Sequence, residues 1–328
     1  MRILLAALLS TCLSTAAVAD TLIVANKFEG TVSFIDLVSG EEVARPETGA
    51  SPHEVALSPD GTRVVVVSYL EDGYIGRELN VFDVATATLI DTIDIDPHLA
   101  PHGIAWLGDS DAVIVTTEET RDVIRVEVGE AEITGAAVTD QIGSHLLALS
   151  PDFATAYVTS RGSNTISVIE TGPMTIQQTV EADDGPEGVF VSPDGAELWV
   201  GNNRSKNVLI FDTADMSRVD TIEVGFLPIR VRFSPDGEVV AIADIRGDRI
   251  VVIDADSRQQ IAEIDLEPAG AIAPASLLFA PDGSMLYAGA QEAARVVEID
   301  TATWTISRVF EAGLGADGLE ISPVAVQR

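Results

Sequence analysis

The chain has 328 residues, of which 46% are hydrophobic and 22% are charged, so it can build a large core and does not have the composition of a disordered protein. Its formal net charge is −33, from 19 Lys and Arg against 52 Asp and Glu. A charge of this sign and size repels phosphate backbones and anionic lipid, which argues against nucleic acid and membrane surfaces as partners.

The first nineteen residues have the pattern of a secretory signal peptide. Arg2 supplies the basic start, an apolar stretch follows over residues 3–13, and a small-residue A-x-A motif ends at Ala19. We expect cleavage after Ala19, a periplasmic or secreted protein without membrane insertion, and one domain over residues 20–328. The single cysteine, Cys12, lies in this leader, and a lipoprotein acylated at Cys12 is the alternative.

Short β-rich runs follow the leader in chain order. They are predicted as strands at residues 21–25, 31–36, near 42, 63–68, 197–201, 207–212, 218–224, 249–254 and 318–321. Between such runs the phrase Ser-Pro-Asp-Gly recurs, with its Ser position at residues 58, 107, 150, 192, 234, 280 and 322. The copy at 107 is degenerate and the copy at 322 is truncated. Pro followed by Asp-Gly is typical of a tight turn.

The repeat predicts an all-β fold, a seven-bladed β-propeller with four-stranded blades. The chain begins with the second and third strands of a blade and finishes with a lone first strand. We therefore expect the N- and C-terminal strands to share the closing blade, which removes open sheet edges. Truncation at either end should unfold the ring.

The xP-x-x-V-x-x-SPDG phrase, followed by V-x-N and N-x-V-x-V-I-D, resembles the YVTN-type repeats of bacterial YncE-like propellers over essentially all of residues 20–327. The resemblance implies the same fold. It leaves the function open, because these propellers include lactonase-like enzymes and binding proteins. The copy at 107 and an enlarged connection at residues 69–77 depart from the pattern.

One position of the repeat, five residues before the Ser position, is unusual in its chemistry. In a propeller the first strand of each blade lines the central channel, and this position falls at the channel mouth. Three of the four histidines of the chain occupy it in successive blades. The seven residues at this position, called the ring here, are His53, His102, His145, Glu187, Ile229, Ala275 and Asp317.

Imidazoles beside carboxylates suit a divalent transition metal such as Zn, Cu, Ni or Fe. The predicted metal ligands are His53, His102, His145, Glu187 and Asp317. Arginines in the loops between second and third strands, including Arg161 and Arg204, are suited to a small anionic ligand instead. The first hypothesis is therefore a monomeric binding protein for a metal ion or small anion at the channel mouth.

Two alternatives stay open. In a lactonase-like or lyase-like enzyme, His102 or His145 would be the general base, Glu187 would orient it, and Arg161 or Arg204 would stabilise negative charge. In a scaffold for other exported proteins, the histidines would be structural. The sequence contains no GxSxG elbow, phosphate-binding glycine loop or haem-attachment motif.

Overall fold

A computed structural model describes residues 20–71 and 73–327. The predicted signal peptide, its cleavage after Ala19 and the lipoprotein alternative at Cys12 lie outside the described residues. Within those residues, no helix has the length and apolar character needed to cross a membrane.

Seven four-stranded antiparallel sheets form the blades of a ring, which confirms the predicted fold. The chain opens with β1 (Thr21–Asn26), β2 (Thr31–Asp36) and β3 (Glu42–Ala44). Blade 1 contains β4 (Pro52–Leu57), β5 (Arg63–Glu71), β6 (Tyr74–Asp83) and β7 (Thr88–Asp94). Blade 2 contains β8 (Pro101–Trp106), β9 (Ala112–Thr117), β10 (Asp122–Glu127) and β11 (Glu132–Val138). Blade 3 contains β12 (Ser144–Leu149), β13 (Thr155–Ser160), β14 (Thr165–Glu170) and β15 (Thr175–Glu181).

The remaining blades repeat the same order of strands. Blade 4 contains β16 (Pro186–Val191), β17 (Glu197–Asn202), β18 (Asn207–Asp212) and β19 (Arg218–Glu223). Blade 5 contains β20 (Pro228–Phe233), β21 (Val239–Asp244), β22 (Arg249–Asp254) and β23 (Gln260–Asp265). A short 3₁₀ helix (Glu267–Ala269) leads to blade 6, which contains β24 (Pro274–Phe279), β25 (Met285–Ala290), β26 (Arg295–Asp300) and β27 (Thr305–Glu311). The last strand is β28 (Ala316–Ser322).

The two ends of the chain share blade 7, as predicted. Strand β28 pairs antiparallel with β1, from Thr21 opposite Ser322 to Asn26 opposite Ala316. The Thr21 hydroxyl also donates a 2.7 Å hydrogen bond to the carbonyl of Val324. The ring is therefore closed by backbone pairing between segments at opposite ends of the sequence.

The Ser-Pro-Asp-Gly turn has a structural reason to recur. The Ser58 hydroxyl donates to Asp60 Oδ1 at 2.6 Å, and the same Ser–Asp bond forms in blades 3, 4 and 5. Gly195 in the turn of blade 4 has φ 78° and packs against Pro151 of blade 3, where a Cβ would lie 3.2 Å from the Pro ring. The turn glycine thus satisfies a left-handed backbone and a close contact with the previous blade.

The core lies between the blades. Within the described residues, seven clusters of buried apolar side chains each span one interface between neighbouring blades. Phe34 of blade 7 contacts Phe82 of blade 1 across one interface, with ring centroids 6.3 Å apart. Hydrophobic burial therefore fixes each blade against its neighbours and holds the inner strands around the channel.

Candidate functional site

The seven ring residues line one cavity of about 210 Å³ at the channel mouth. Each of them is the second residue of an inner strand, so the equivalent position in all seven blades faces the same space. Side chains from loops and neighbouring strand positions complete the wall: Lys27, Tyr69, Arg161, Arg230 and Gln291.

His53 and Asp317 form a pair on one side of the cavity. His53 Nδ1 lies 2.7 Å from Asp317 Oδ2, and His53 Nε2 lies 3.2 Å from Lys27 Nζ. Burial lowers the pKa of His53 despite the neighbouring carboxylate. Blades 7 and 1 approach closely here, because a Cβ on Gly318 would lie 2.4 Å from the carbonyl oxygen of His53.

His145 is held between two carboxylates. Its Nδ1 lies 2.9 Å from Glu118 Oε2 and its Nε2 lies 3.3 Å from Glu187 Oε1. Burial opposes the charged ring, but the hydrogen bonds to Glu118 and Glu187 outweigh burial and raise the pKa of His145. Arg161 Nε lies 3.2 Å from Glu187 Oε2, and the Asn203 amide donates to the same oxygen. The imidazolium form of His145 is therefore favoured.

His102 lies between these two histidines and is 1% exposed. Its ring centroid is 4.2 Å from that of His53, 3.6 Å from that of His145 and 4.6 Å from that of Tyr69. Neither of its nitrogens has a hydrogen-bond partner among the described residues. Burial, followed by the repulsion of His145 and His53, holds the pKa of His102 well below its usual value. His102 is therefore a neutral ring with unused hydrogen-bonding capacity.

Arg230 crosses the channel from blade 5. Its guanidinium pairs with Glu54 of blade 1, and Nη2 lies 3.7 Å from Asp317 Oδ1. With Lys27 and Arg161, it makes a set of three cations around the cavity. Cations grouped at the wall of a cavity attract a carboxylate or phosphate, even in a protein whose overall charge is strongly negative.

One residue that the sequence singled out is not in the cavity wall. Arg204, predicted to stabilise negative charge, binds Asp184 at 2.7 Å and donates a 2.8 Å hydrogen bond to the carbonyl of Arg161. It therefore braces the loop that carries Arg161. His98, the fourth histidine, lies 2.6 Å from Asp122 instead.

Sequence reasoning missed Lys27 and Arg230. Lys27 is one of two lysines in the chain and lies in the turn between the second and third strands of blade 7. That is the loop position which supplies Arg161 in blade 3, so assigning the terminal strands to a blade gives a signal for it. Arg230 directly follows the ring residue Ile229, where the pairing register of β20 shifts, as it does near the start of the other inner strands. Simple alternation along the strand does not predict its direction.

The predicted metal ligands do not all converge. Among the described residues, the one group of three ligand atoms within 4.8 Å of each other comes from His53, Glu54 and Asp317. Glu54 was not predicted and is paired with Arg230. His102, His145 and Glu187 line the same cavity but lie outside this group.

Comparison with known proteins identifies the family of this chain. A family model described as "Lactonase, 7-bladed beta-propeller" matches residues 22–221, which is more than half of the chain. The chain belongs to the lactonase seven-bladed β-propeller family. No curated protein matches it.

A solved structure named Kuenenia stuttgartiensis hydrazine synthase is similar to this lactonase-family propeller, with a TM-score of 0.74. The match has 19% sequence identity and covers 86% of this chain and 92% of that chain. At that identity the likeness shows the fold alone.

Proposed function

We propose that this propeller is an enzyme that opens small, negatively charged lactones by hydrolysis at the channel mouth. The observation that carries the proposal is the pair His102 and His145. Their rings lie 3.6 Å apart, yet their environments shift the two pKa values in opposite directions. Neighbouring groups with pKa values driven apart provide one base and one acid at the same pH.

In this proposal neutral His102 accepts a proton from water while the water oxygen bonds to the lactone carbonyl carbon. The ring C–O bond then breaks, and the leaving oxygen takes a proton from the imidazolium of His145. The product is a hydroxy acid. Glu118 and Glu187 orient His145 and favour its charged form. Transfer of one proton between the adjacent rings restores the starting state.

The cations at the cavity wall support an anionic substrate. Lys27, Arg161 and Arg230 surround the histidines, and a cation at the wall of a cavity stabilises both a substrate carboxylate and an oxyanion that forms on the carbonyl. A cavity of about 210 Å³ fits a small ring compound better than a polymer. The substrate class is therefore a small lactone with a carboxylate or phosphate substituent.

The test is hydrolysis of a lactone panel, followed as acid release, with each charged lactone paired with a neutral one of the same ring size. We expect turnover of charged members and a loss of about 100-fold or more in His102→Gln. His98→Gln is the matched control, since it also removes an imidazole but lies outside the cavity wall. Activity that survives in H102Q, or fails on every charged lactone, would contradict the proposal.

A second candidate is a divalent transition metal at the same cavity. It is supported by the unpartnered nitrogens of His102 and by the ligand group His53, Glu54 and Asp317. Zn, Cu, Ni or Fe would suit these donors. Metal analysis of protein purified after supplementation with each metal tests it. Stoichiometric metal that is lost in both His53→Ala and His102→Ala supports this candidate, and absence of metal under all conditions removes it.

We also infer that the protein is an exported member of the YVTN-type, YncE-like branch. The inference is supported by the A-x-A motif that ends at Ala19 and by the repeated Ser-Pro-Asp-Gly phrase. Amino-terminal sequencing of protein recovered from the periplasm or medium is the direct test. A mature chain that starts at Asp20 is the expected result.

A further inference from the structure

A second chamber lies in the channel, beyond the ring cavity. It has a volume of about 370 Å³ and is lined by the inner strands. Glu54 and Arg230 belong to its wall, and their ion pair reaches across the channel between blades 1 and 5. This pair lies between the chamber and the histidine cavity, to whose wall Arg230 also belongs.

Arg232 faces this chamber without a partner for its guanidinium. Among the described residues it forms no hydrogen bond and no ion pair, and its guanidinium carbon lies over the face of the Phe190 ring, 4.6 Å from the ring centre. Partial burial in the channel lowers the pKa of Arg232. Arg232 is half-buried and makes no direct bond to a carboxylate, so a ligand anion that bonds its guanidinium directly is stabilised here.

The carboxylate nearest in the wall does not fully neutralise Arg232. Burial raises the pKa of Glu320 to about 7, so a substantial fraction of this side chain is protonated near neutral pH. Glu54 is engaged by Arg230, whose own charge repels that of Arg232. Near Arg232, the chamber therefore offers a ligand more positive charge than negative charge.

The wall opposite Arg232 leaves apolar space. At the same level of the inner strands, blades 1, 2 and 3 place Ala56, Ala105 and Ala148, and all three line the chamber. Alanines at these positions leave room where larger side chains would fill the channel. A ligand body in that space would contact methyl groups and the Phe190 ring.

Phe153 adds an aromatic wall at the end of the chamber away from the ring. It occupies the Gly position of the repeated turn in blade 3, with φ 59°, a conformation that L side chains rarely adopt. Its ring packs over Gly108, which replaces the turn proline in blade 2, and it also lines the chamber while 41% exposed. The turn thus accepts an unfavourable backbone conformation and presents a phenyl ring at this end of the channel.

We propose that the chamber binds a small monocarboxylic acid with an apolar ring or chain, its carboxylate on Arg232 and its body against the alanines and Phe190. The ligand would enter past Phe153, from the face opposite the histidines. This site is separate from the lactone site and does not depend on its activity.

Binding of para-fluorobenzoate to the full-length protein, measured by fluorine NMR, tests the proposal. We expect saturable binding that weakens about 10- to 100-fold in Arg232→Met, and similar weakening when the neutral para-fluorobenzamide replaces the acid. Glu320→Gln should bind the acid more tightly, because it removes a competing carboxylate. Arg125→Met is the control, since Arg125 pairs with Glu127 on an outer strand.

Three results would overturn the proposal. One is equal affinity of wild type and R232M for the acid. Another is binding lost in Arg161→Met but retained in R232M, which would place the ligand at the ring cavity. The third comes from crystals of the wild type soaked in para-iodobenzoate, an experiment that does not depend on the folding of R232M. Anomalous iodine signal only at the channel mouth, or no iodine signal, would overturn the proposal. Iodine signal between Phe153 and Arg232 is the expected result.

Discussion

Glu118→Gln is the sharpest test of the charge state assigned to His145. The Glu118 carboxylate lies 2.9 Å from His145 Nδ1 and accepts a hydrogen bond from Tyr69. Burial raises the pKa of Glu118, but His145, Tyr69 and Arg161 outweigh it and lower the pKa from 4.5 to about 2. A tenfold change in a protonation constant is worth about 1.4 kcal/mol, so this fall corresponds to about 3 kcal/mol of stability. Since Tyr69 and Arg161 contribute part of it, we expect Glu118→Gln to lower the free energy of unfolding by about 2 kcal/mol.

The loss should depend on pH in a defined way. The folded-state pKa of His145 is raised, so its contribution is fully present below the unfolded value near 6.5 and is lost as pH rises through the folded value. The folded-state pKa of Glu118 is lowered, so its contribution is present above about 4.5 and is lost as pH falls through about 2. The difference between wild type and variant should therefore be largest between about pH 4.5 and 6.5 and shrink on both sides.

Urea unfolding of the two proteins at pH 5.5 and at pH 9 measures this difference. Other titrating groups cancel between wild type and variant, provided both unfold in one transition. Glu223→Gln is the matched control. It removes the same charge, but Glu223 is exposed and lies on the outermost strand of blade 4, away from His145. A stability difference that is the same at both pH values, or that grows at pH 9, would show that Glu118 does not hold a charged imidazolium.

Three further predictions follow from the site and the ring. The rate of lactone opening should have a bell-shaped dependence on pH, because the lowered pKa of His102 sets an acid limb below 6.5 and the raised pKa of His145 sets an alkaline limb above 6.5. A single step near 6.5 would contradict the assignment. Removal of residues 316–328 should abolish the cooperative thermal transition, because it takes away the inner strand of blade 7. A shortened chain that still melts in one sharp transition would argue against ring closure as the source of stability. Gly318→Ala should lower the free energy of unfolding, measured in urea, by about 1–3 kcal/mol, because the new Cβ would overlap the His53 carbonyl. An unchanged urea midpoint would show that blades 7 and 1 can separate freely there.

Most of the fold was predictable because its signals are local and repeated. Strands β2, β18 and β22 have the predicted bounds, since each is a run of β-branched and apolar residues between turn signals. The sequence predicted that the connection at residues 69–77 departs from the repeat pattern, but it did not predict the structure of that connection. In the structure β5 and β6 continue as a longer hairpin, from Leu70 opposite Ile75 to Glu71 opposite Tyr74. Nothing in the short-range pattern distinguishes a long hairpin from a loop at this point.

The site was predictable only where it follows the repeat. His53, His102 and His145 share one position of one motif, and the repeat alone brings them to one cavity. The groups that decide the charge states of these histidines come from other levels and other blades. Glu118, which hydrogen-bonds His145, lies in the turn after β9, and Arg230, whose charge disfavours a charged His102, lies on β20. Which histidine is charged depends on those partners and on burial, so the contrast between His102 and His145 cannot be obtained from spacing.

The apolar part of the ring explains how a cation can reach the centre of an acidic protein. Ile229 and Ala275 leave no charge on their arc, so Arg230 extends past them to Glu54 and Asp317 on the far side. Exposed carboxylates repel an anion outside, but their field is screened over about 8 Å at physiological salt, whereas the cations of the cavity wall act at contact distance. Only an anion small enough to enter the mouth gains that contact. The same asymmetry that leaves two blades without a ligating side chain would therefore give the cavity the preference for a small, negatively charged ligand that the proposed function requires.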